Sequence, residues 1–92
     1  YGKGFAVLPG DESWNELSAH FTILPATRQI IVADIYEVQT SCGYGVPYYA
    51  YTGERDHAFK WADNKGEEGL KKYQEENNLQ SKDGLPTAMS VK

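Results

Sequence analysis

The sequence has little of several features on which particular functions depend. It contains one cysteine, Cys42, so it can form no internal disulfide and lacks the paired cysteines of zinc-binding motifs. Its longest apolar run, residues 30–33, is far shorter than the ~20 residues of a membrane-spanning helix. Nine Lys and Arg against thirteen Asp and Glu give a net charge of −4. We therefore expect no membrane segment and no nucleic-acid partner, and the lone thiol favours a reducing, cytoplasmic location.

What is present is an ordinary globular composition with an excess of tyrosine. Hydrophobic residues make up 40% and charged residues 24%, which argues against disorder. With 92 residues the chain is one small domain or part of one, and its core should be thin. Aromatic residues reach 13%, and seven of them are Tyr. The first residue is Tyr1 rather than Met, from which we expect a processed or truncated product.

Strand-forming residues are concentrated in the first half of the chain. Residues 1–8 contain Tyr, Phe and Val, and residues 28–40 have seven β-branched or aromatic residues among thirteen, without Gly or Pro. Because residues 30–33 are apolar without a break, we expect that part of the strand to be covered on both faces. Residues 48–51, three of them Tyr, form either another strand or an extended arm.

Two helices are predicted from apolar spacing. Asp11 or Ser13 can cap a short first helix that ends before Pro25, with Trp14, Leu17 and Phe21 on one face. The second helix covers residues 56–77, with Asp56 at its N-cap, and its apolar face is spaced by three and four residues (Phe59, Ala62, Gly66, Leu70 and Tyr73). Gly66 and Gly69 lower its helix propensity, and close approach to another backbone is the simplest reason for them.

Ordinary catalytic and metal motifs are missing. His20 and His57 lie on different predicted helices without the spacing of a metal site, so we predict none. A serine triad can be assembled from Ser41, His57 and Asp34, but no nucleophile-elbow motif accompanies it. Cys42 has no nearby cation in the sequence to activate it and is better interpreted as a small, partly buried residue. We therefore name no catalytic residue.

The tyrosines of the middle segment have more than one interpretation. They are Tyr44, Tyr48, Tyr49 and Tyr51. Tyrosine is enriched at protein interfaces, and its ring also makes a flat wall for a planar ligand. The residue types alone leave these two interpretations about even, with ordinary packing as a third.

Several motifs of the chain, taken in order, resemble a known family. The run QTSCGYGVP at residues 39–47 follows the strand RQIIVADIYEVQT, and GERD, WADNKGEEGL and SKDGLP come after it in that order. In this combination the chain resembles the pyridoxamine 5′-phosphate oxidase-like proteins, which bind flavin mononucleotide (FMN) on a split β-barrel. It is most similar to the branch of that family with a helical C-terminal extension.

The resemblance implies an α+β fold, a fragment of an FMN-binding split β-barrel with two helices packed on antiparallel strands. Residues 1–92 are then a single domain, the C-terminal part of a longer one. Strands and a short helix are expected in 1–51, a long helix in 52–78 and an extended tail in 79–92. The resemblance also implies a homodimer with FMN between its subunits. The phosphate clamp of the family cannot be transferred, because this chain has only two arginines.

The same resemblance gives candidate flavin contacts and two functional hypotheses. Side chains and backbone groups of the motif would form hydrogen bonds with the polar edge of the flavin ring, and an aromatic ring would pack on its face. The candidates are Gln39, Thr40, Ser41, Cys42, Gly43, Tyr44 and Trp61. In the first hypothesis the chain is part of an FMN-dependent oxidoreductase that acts on a small molecule. The 92 residues alone would be inactive. The alternative is a non-catalytic module that binds flavin or another planar ligand, or that dimerises.

Overall fold

The chain is an α+β structure with few regular elements. In the computed structural model, which describes residues 1–89, their order is β1 (Gly2–Val7), α1 (Trp14–Ser18), β2 (Ile30–Ile35) and α2 (His57–Asn77). The predicted fold class is confirmed: two antiparallel strands and two helices form an arrangement compatible with part of a split barrel, without a closed barrel. The end of the predicted tail, residues 90–92, lies outside the described residues.

The two strands form an antiparallel ribbon. Gly2 of β1 pairs with Ile35 of β2, and the register continues to the pair of Val7 and Ile30. Ile30 is partly covered, whereas Ile31, whose side chain points to the opposite face, is 62% exposed. The prediction that residues 30–33 are covered on both faces is therefore wrong, because no further layer packs on the second face of this ribbon within the described residues.

The first helix is shorter than its apolar spacing predicts. It begins after Ser13 and ends at Ser18, so Phe21 lies beyond it with its ring exposed. The Ser13 side chain makes no capping hydrogen bond. The Asp11 carboxylate instead accepts a hydrogen bond of 2.7 Å from the Leu8 amide, which stabilises the turn between β1 and α1.

The second helix is bent at Gly66. This residue has φ 68° and ψ 174°, a combination accessible almost only to glycine, between two helical segments. A Cβ at Gly66 would meet no atom within 4 Å, and one at Gly69 would only touch the Lys65 side chain at 3.5 Å. The expectation that these glycines permit close approach to another backbone is not met within the described residues: at Gly66 the backbone conformation is what requires glycine.

After α2 the chain makes a tight turn. Gln80 pairs with Pro86 in an isolated antiparallel bridge, and the Leu85 amide donates a 3.1 Å hydrogen bond to the Ser81 hydroxyl. The Thr87 hydroxyl donates to the Asn78 carbonyl at 2.6 Å. These bonds hold residues 79–87 against the end of the helix.

The buried core is small. Its members come from the end of β1 and from α2, and they are Val7, Leu8, Ala62 and Leu70. The radius of gyration is 17.2 Å, against about 12 Å for a compact domain of this length. The accessible surface is 8336 Å², where about 5,400 Å² is usual for a folded monomer of 10.3 kDa. Much of the apolar surface of this chain is therefore open.

Candidate functional site

The segment between β2 and α2 contains most of the residues predicted to bind a ligand. Residues 36–56, here called the arm, form neither helix nor strand, and all of them are exposed. Tyr44 and Tyr48 project almost completely into solvent, and Tyr49 and Tyr51 are at least 78% exposed. Of the two structures considered for residues 48–51, the extended arm is the one observed. Ordinary packing does not account for these tyrosines in the described structure.

The candidate flavin contacts at residues 39–44 lie together on the arm. The Gln39 side-chain amide donates a 3.3 Å hydrogen bond to the Glu37 carboxylate, and the Ser41 hydroxyl donates a 3.4 Å bond to the Cys42 carbonyl. A 3.0 Å bond from the Val46 amide to the Gly43 carbonyl closes a turn. These bonds are all local, so the motif presents amide, hydroxyl and backbone groups on an open surface. Cys42 is exposed rather than partly buried, so that interpretation of the thiol is wrong.

Gly43 and Gly45 leave open space at the centre of the motif. A Cβ at either position would meet no atom within 4 Å. A planar molecule can therefore approach the backbone of this turn without displacing a neighbouring side chain. The geometry permits contact with a flat ring, and it does not by itself select a ligand.

The remaining candidate, Trp61, has its ring partners within α2. Its ring packs edge-to-face on Tyr73, with 5.0 Å between centroids and 78° between planes. The Lys65 ammonium lies 5.4 Å from the Trp61 centroid and 5.5 Å from that of Tyr73, within range of a cation–π contact with each. We call these three residues the clasp.

The clasp was missed by sequence reasoning. Trp61 and Lys65 are four residues apart, which is a visible signal for contact on a helix. Tyr73 is twelve residues from Trp61, and a straight helix would separate them by about 18 Å along its axis. Only the bend at Gly66 brings the two rings together.

One hydrogen bond on the arm affects an ionisable group. The Tyr51 hydroxyl donates a 2.7 Å bond to the Glu54 carboxylate. This bond, with a smaller contribution from desolvation, raises the pKa of Tyr51 above its usual range, because loss of the proton would set two negative charges together. The phenol therefore stays neutral at physiological pH.

The best-formed cavities among the described residues lie away from the arm. One open cavity of about 350 Å³ lies between the loop that follows α1 and the start of β2. Its lining residues are Phe21, Thr22, Ile23, Thr27, Gln29, Ile30 and Ile31. None of the seven candidate contacts lines it. Residues 1–89 contain no group of three His, Cys, Asp or Glu able to hold a metal ion. Nor does that part of the chain include a helix long and apolar enough to cross a bilayer.

Comparison with known proteins gives one partial relative. No family model matches the chain, and no solved structure matches it. The chain is 37% identical to a protein of Aspergillus flavus named pyridoxamine 5′-phosphate oxidase family protein ustO. The similarity covers 68% of this chain and 30% of that relative. The chain therefore spans under a third of the length of the curated relative that it matches, and it resembles one part of a protein named for the pyridoxamine 5′-phosphate oxidase family.

Proposed function

We propose that this chain is part of an FMN-binding, oxidoreductase-like protein of the pyridoxamine 5′-phosphate oxidase-like family. The observation that carries the proposal is the 37% identity to a relative named for that family. The arm adds support, since its residues 39–44 are exposed and make only local hydrogen bonds.

The donor set of the arm fits the ring of a flavin better than its phosphate. Gln39, Thr40 and Ser41 offer amide and hydroxyl groups that suit the polar edge of the ring, and Gly43 leaves its backbone accessible. A phosphate calls for several cations or backbone amides, and the arm has a single cationic side chain, Arg55. In this proposal the phosphate is bound by residues outside this chain.

The arm also supports a proposal of homodimerisation. Its tyrosines are exposed, and the chain has about 2,900 Å² more accessible surface than a compact monomer of its mass. Permanent interfaces bury roughly 2,000–5,000 Å² in total, or about 1,000–2,500 Å² per subunit, so a second subunit could bury much of this excess. In this proposal the exposed surface is buried by a second subunit or by the remainder of a longer chain. Sedimentation of the purified protein separates the two, and a monomer at high concentration would contradict the homodimer.

In the proposed enzyme, the flavin supplies the hydride chemistry and the residues of this chain bind and orient it. Gln39 and Ser41 would hold the ring edge, and Tyr44 would pack on its face. We assign no acid, base or nucleophile to this chain.

The visible spectrum of the longest form that can be purified is the first test. A yellow protein that bleaches when NADH or NADPH is added supports a flavin-dependent oxidoreductase. A yellow protein that does not react supports a flavin-binding module without catalysis. A colourless protein, unchanged after incubation with FMN, contradicts both.

The assignment of Gln39 has its own test. We expect Gln39→Ala to lower the FMN content of the purified protein, because the variant loses an amide that bonds the ring edge. Gln80→Ala makes the same change in the turn after α2 and should leave the flavin content unaltered. Equal flavin content in both variants would remove Gln39 from the site.

The alternative function is a non-catalytic module that binds flavin or another planar ligand, or that dimerises. The observation that favours it is the openness of the arm: its candidate residues are all exposed, so nothing within the described chain encloses a reacting centre. The spectral test separates this alternative from the enzyme.

A further inference from the structure

The bend in α2 is centred on one residue. Gly66 is the only residue within the helix whose backbone angles are not helical. Apart from its chain neighbours and the backbone of its own helix, no atom lies within 4 Å of a Cβ built at Gly66, so no close contact there opposes a change of its backbone angles. The conformation is therefore free to change if the contacts that hold the two halves together are released.

The clasp is what holds the bend. It links Trp61 and Lys65 before the glycine with Tyr73 after it, through one edge-to-face ring contact and two cation–π contacts. Each contact is weak and partly exposed to solvent. A single substitution can therefore remove a contact of the clasp; Ala62 and Leu70, buried on either side of the bend, also have to rearrange when the bend changes.

A straight form of α2 is compatible with the sequence. If Gly66 adopts helical angles, His57–Asn77 becomes one helix about 32 Å long. Phe59, Ala62, Leu70 and Tyr73 then lie on one face, with steps of three, four, four and three when Gly66 is counted between Ala62 and Leu70. Trp61 and Tyr73 would separate, and the Trp61 ring would lose its edge-to-face partner while keeping Lys65, four residues away on the same helical segment.

We propose that α2 is a two-state hinge at Gly66, closed by the clasp and open as a straight helix. Closing brings residues 67–77 back against residues 57–65 and covers the Trp61 ring. Opening exposes that ring and moves the turn at residues 79–87 away from it. The hinge does not depend on flavin binding, so it can be confirmed or refuted independently of the proposed function.

The test compares two alanine variants of the full chain by NMR. Alanine at position 66 is disfavoured in the bent conformation and favoured in the helix, so Gly66→Ala should shift the ratio of straight to bent forms by about 30-fold or more. We expect loss of the nuclear Overhauser contact between the Trp61 and Tyr73 rings and helical carbon shifts at residue 66. Gly69→Ala is the matched control, since its new methyl makes only an ordinary contact with Lys65.

The result that overturns the hinge is retention of the ring contact in Gly66→Ala. If that variant does not fold, Tyr73→Ala decides the matter, because it opens the clasp and leaves the glycine in place. Helical carbon shifts at Gly66 in Tyr73→Ala would support the hinge. An unchanged bend at Gly66 in that variant would contradict it.

Discussion

Two glycines of β1 should respond in opposite ways to the same substitution. Gly2 and Gly4 lie on the same face of the strand, two residues apart. A Cβ at Gly2 would lie 2.5 Å from the carbonyl oxygen of Asp34, whereas the nearest atom to one at Gly4 is 3.8 Å away. The first distance is a severe overlap with the backbone of the paired strand, and the second is an ordinary contact.

The magnitudes follow from these distances. Removing the overlap in Gly2→Ala requires movement between the strands, at a cost of about 1–3 kcal/mol, typical of overpacking. Replacing glycine by alanine also restricts the unfolded chain, which stabilises the fold by about 0.4–1 kcal/mol. We expect Gly2→Ala to lower the free energy of unfolding by about 1–2 kcal/mol and Gly4→Ala to raise it by about 0.5 kcal/mol.

Chemical denaturation of both variants measures the difference. Amide exchange of the β2 residues that pair with β1 gives a local check, since Gly2→Ala should speed it and Gly4→Ala should not. If the two variants have the same free energy of unfolding, the register of the two strands as described here is refuted.

Two further predictions concern the core and the arm. Leu70→Ala should lower the free energy of unfolding by about 2–3 kcal/mol because Leu70 is buried; Leu85→Ala, at an exposed position, should change it little in the same denaturation experiment. Glu54→Gln should lower the pKa of Tyr51, because it removes the negatively charged carboxylate that accepts a hydrogen bond from the Tyr51 hydroxyl. The phenolate absorbance in an alkaline titration, with Tyr51→Phe as the reference, measures this, and an unchanged pKa would contradict the hydrogen bond.

The raised pKa of Tyr51 makes the stability of the fold depend on pH in one direction. Its pKa is raised in the folded chain, so the folded state holds the proton to higher pH than the unfolded state does. The contribution to stability is therefore present below the pKa of the unfolded chain and is lost as pH rises through that of the folded chain.

Local patterns predict the strands and the long helix well. The β-branched residues of 28–40 indicate β2, although the regular strand is confined to Ile30–Ile35, with Tyr1 adding backbone hydrogen bonds to Tyr36 and Glu37 beyond it. The apolar spacing of residues 56–77 predicts α2 almost to its ends. These elements follow from neighbours in the sequence, so the sequence is sufficient to find them.

Features that depend on distant contacts are harder to predict. The apolar run at residues 30–33 suggests cover on both faces, but cover depends on what else packs there. The glycine at 66 is visible in the sequence, whereas its conformation and the ring contact that accompanies it are not. In the candidate site, residues 39–44 are adjacent in sequence and so share one surface. Trp61 lies on α2, and its role in the site stays a prediction.

The register of the ribbon bears on how the chain folds. Val7 and Ile30 are its closest partners along the sequence, so residues 8–29 must be closed into a loop before the first pair forms. By chain statistics this costs about 2 kcal/mol more than closing a two-residue hairpin. The hydrogen bonds and ring contacts within α2 are more local and carry less of this cost. The speed of folding should therefore depend chiefly on how easily residues 8–29 bring the two strands together.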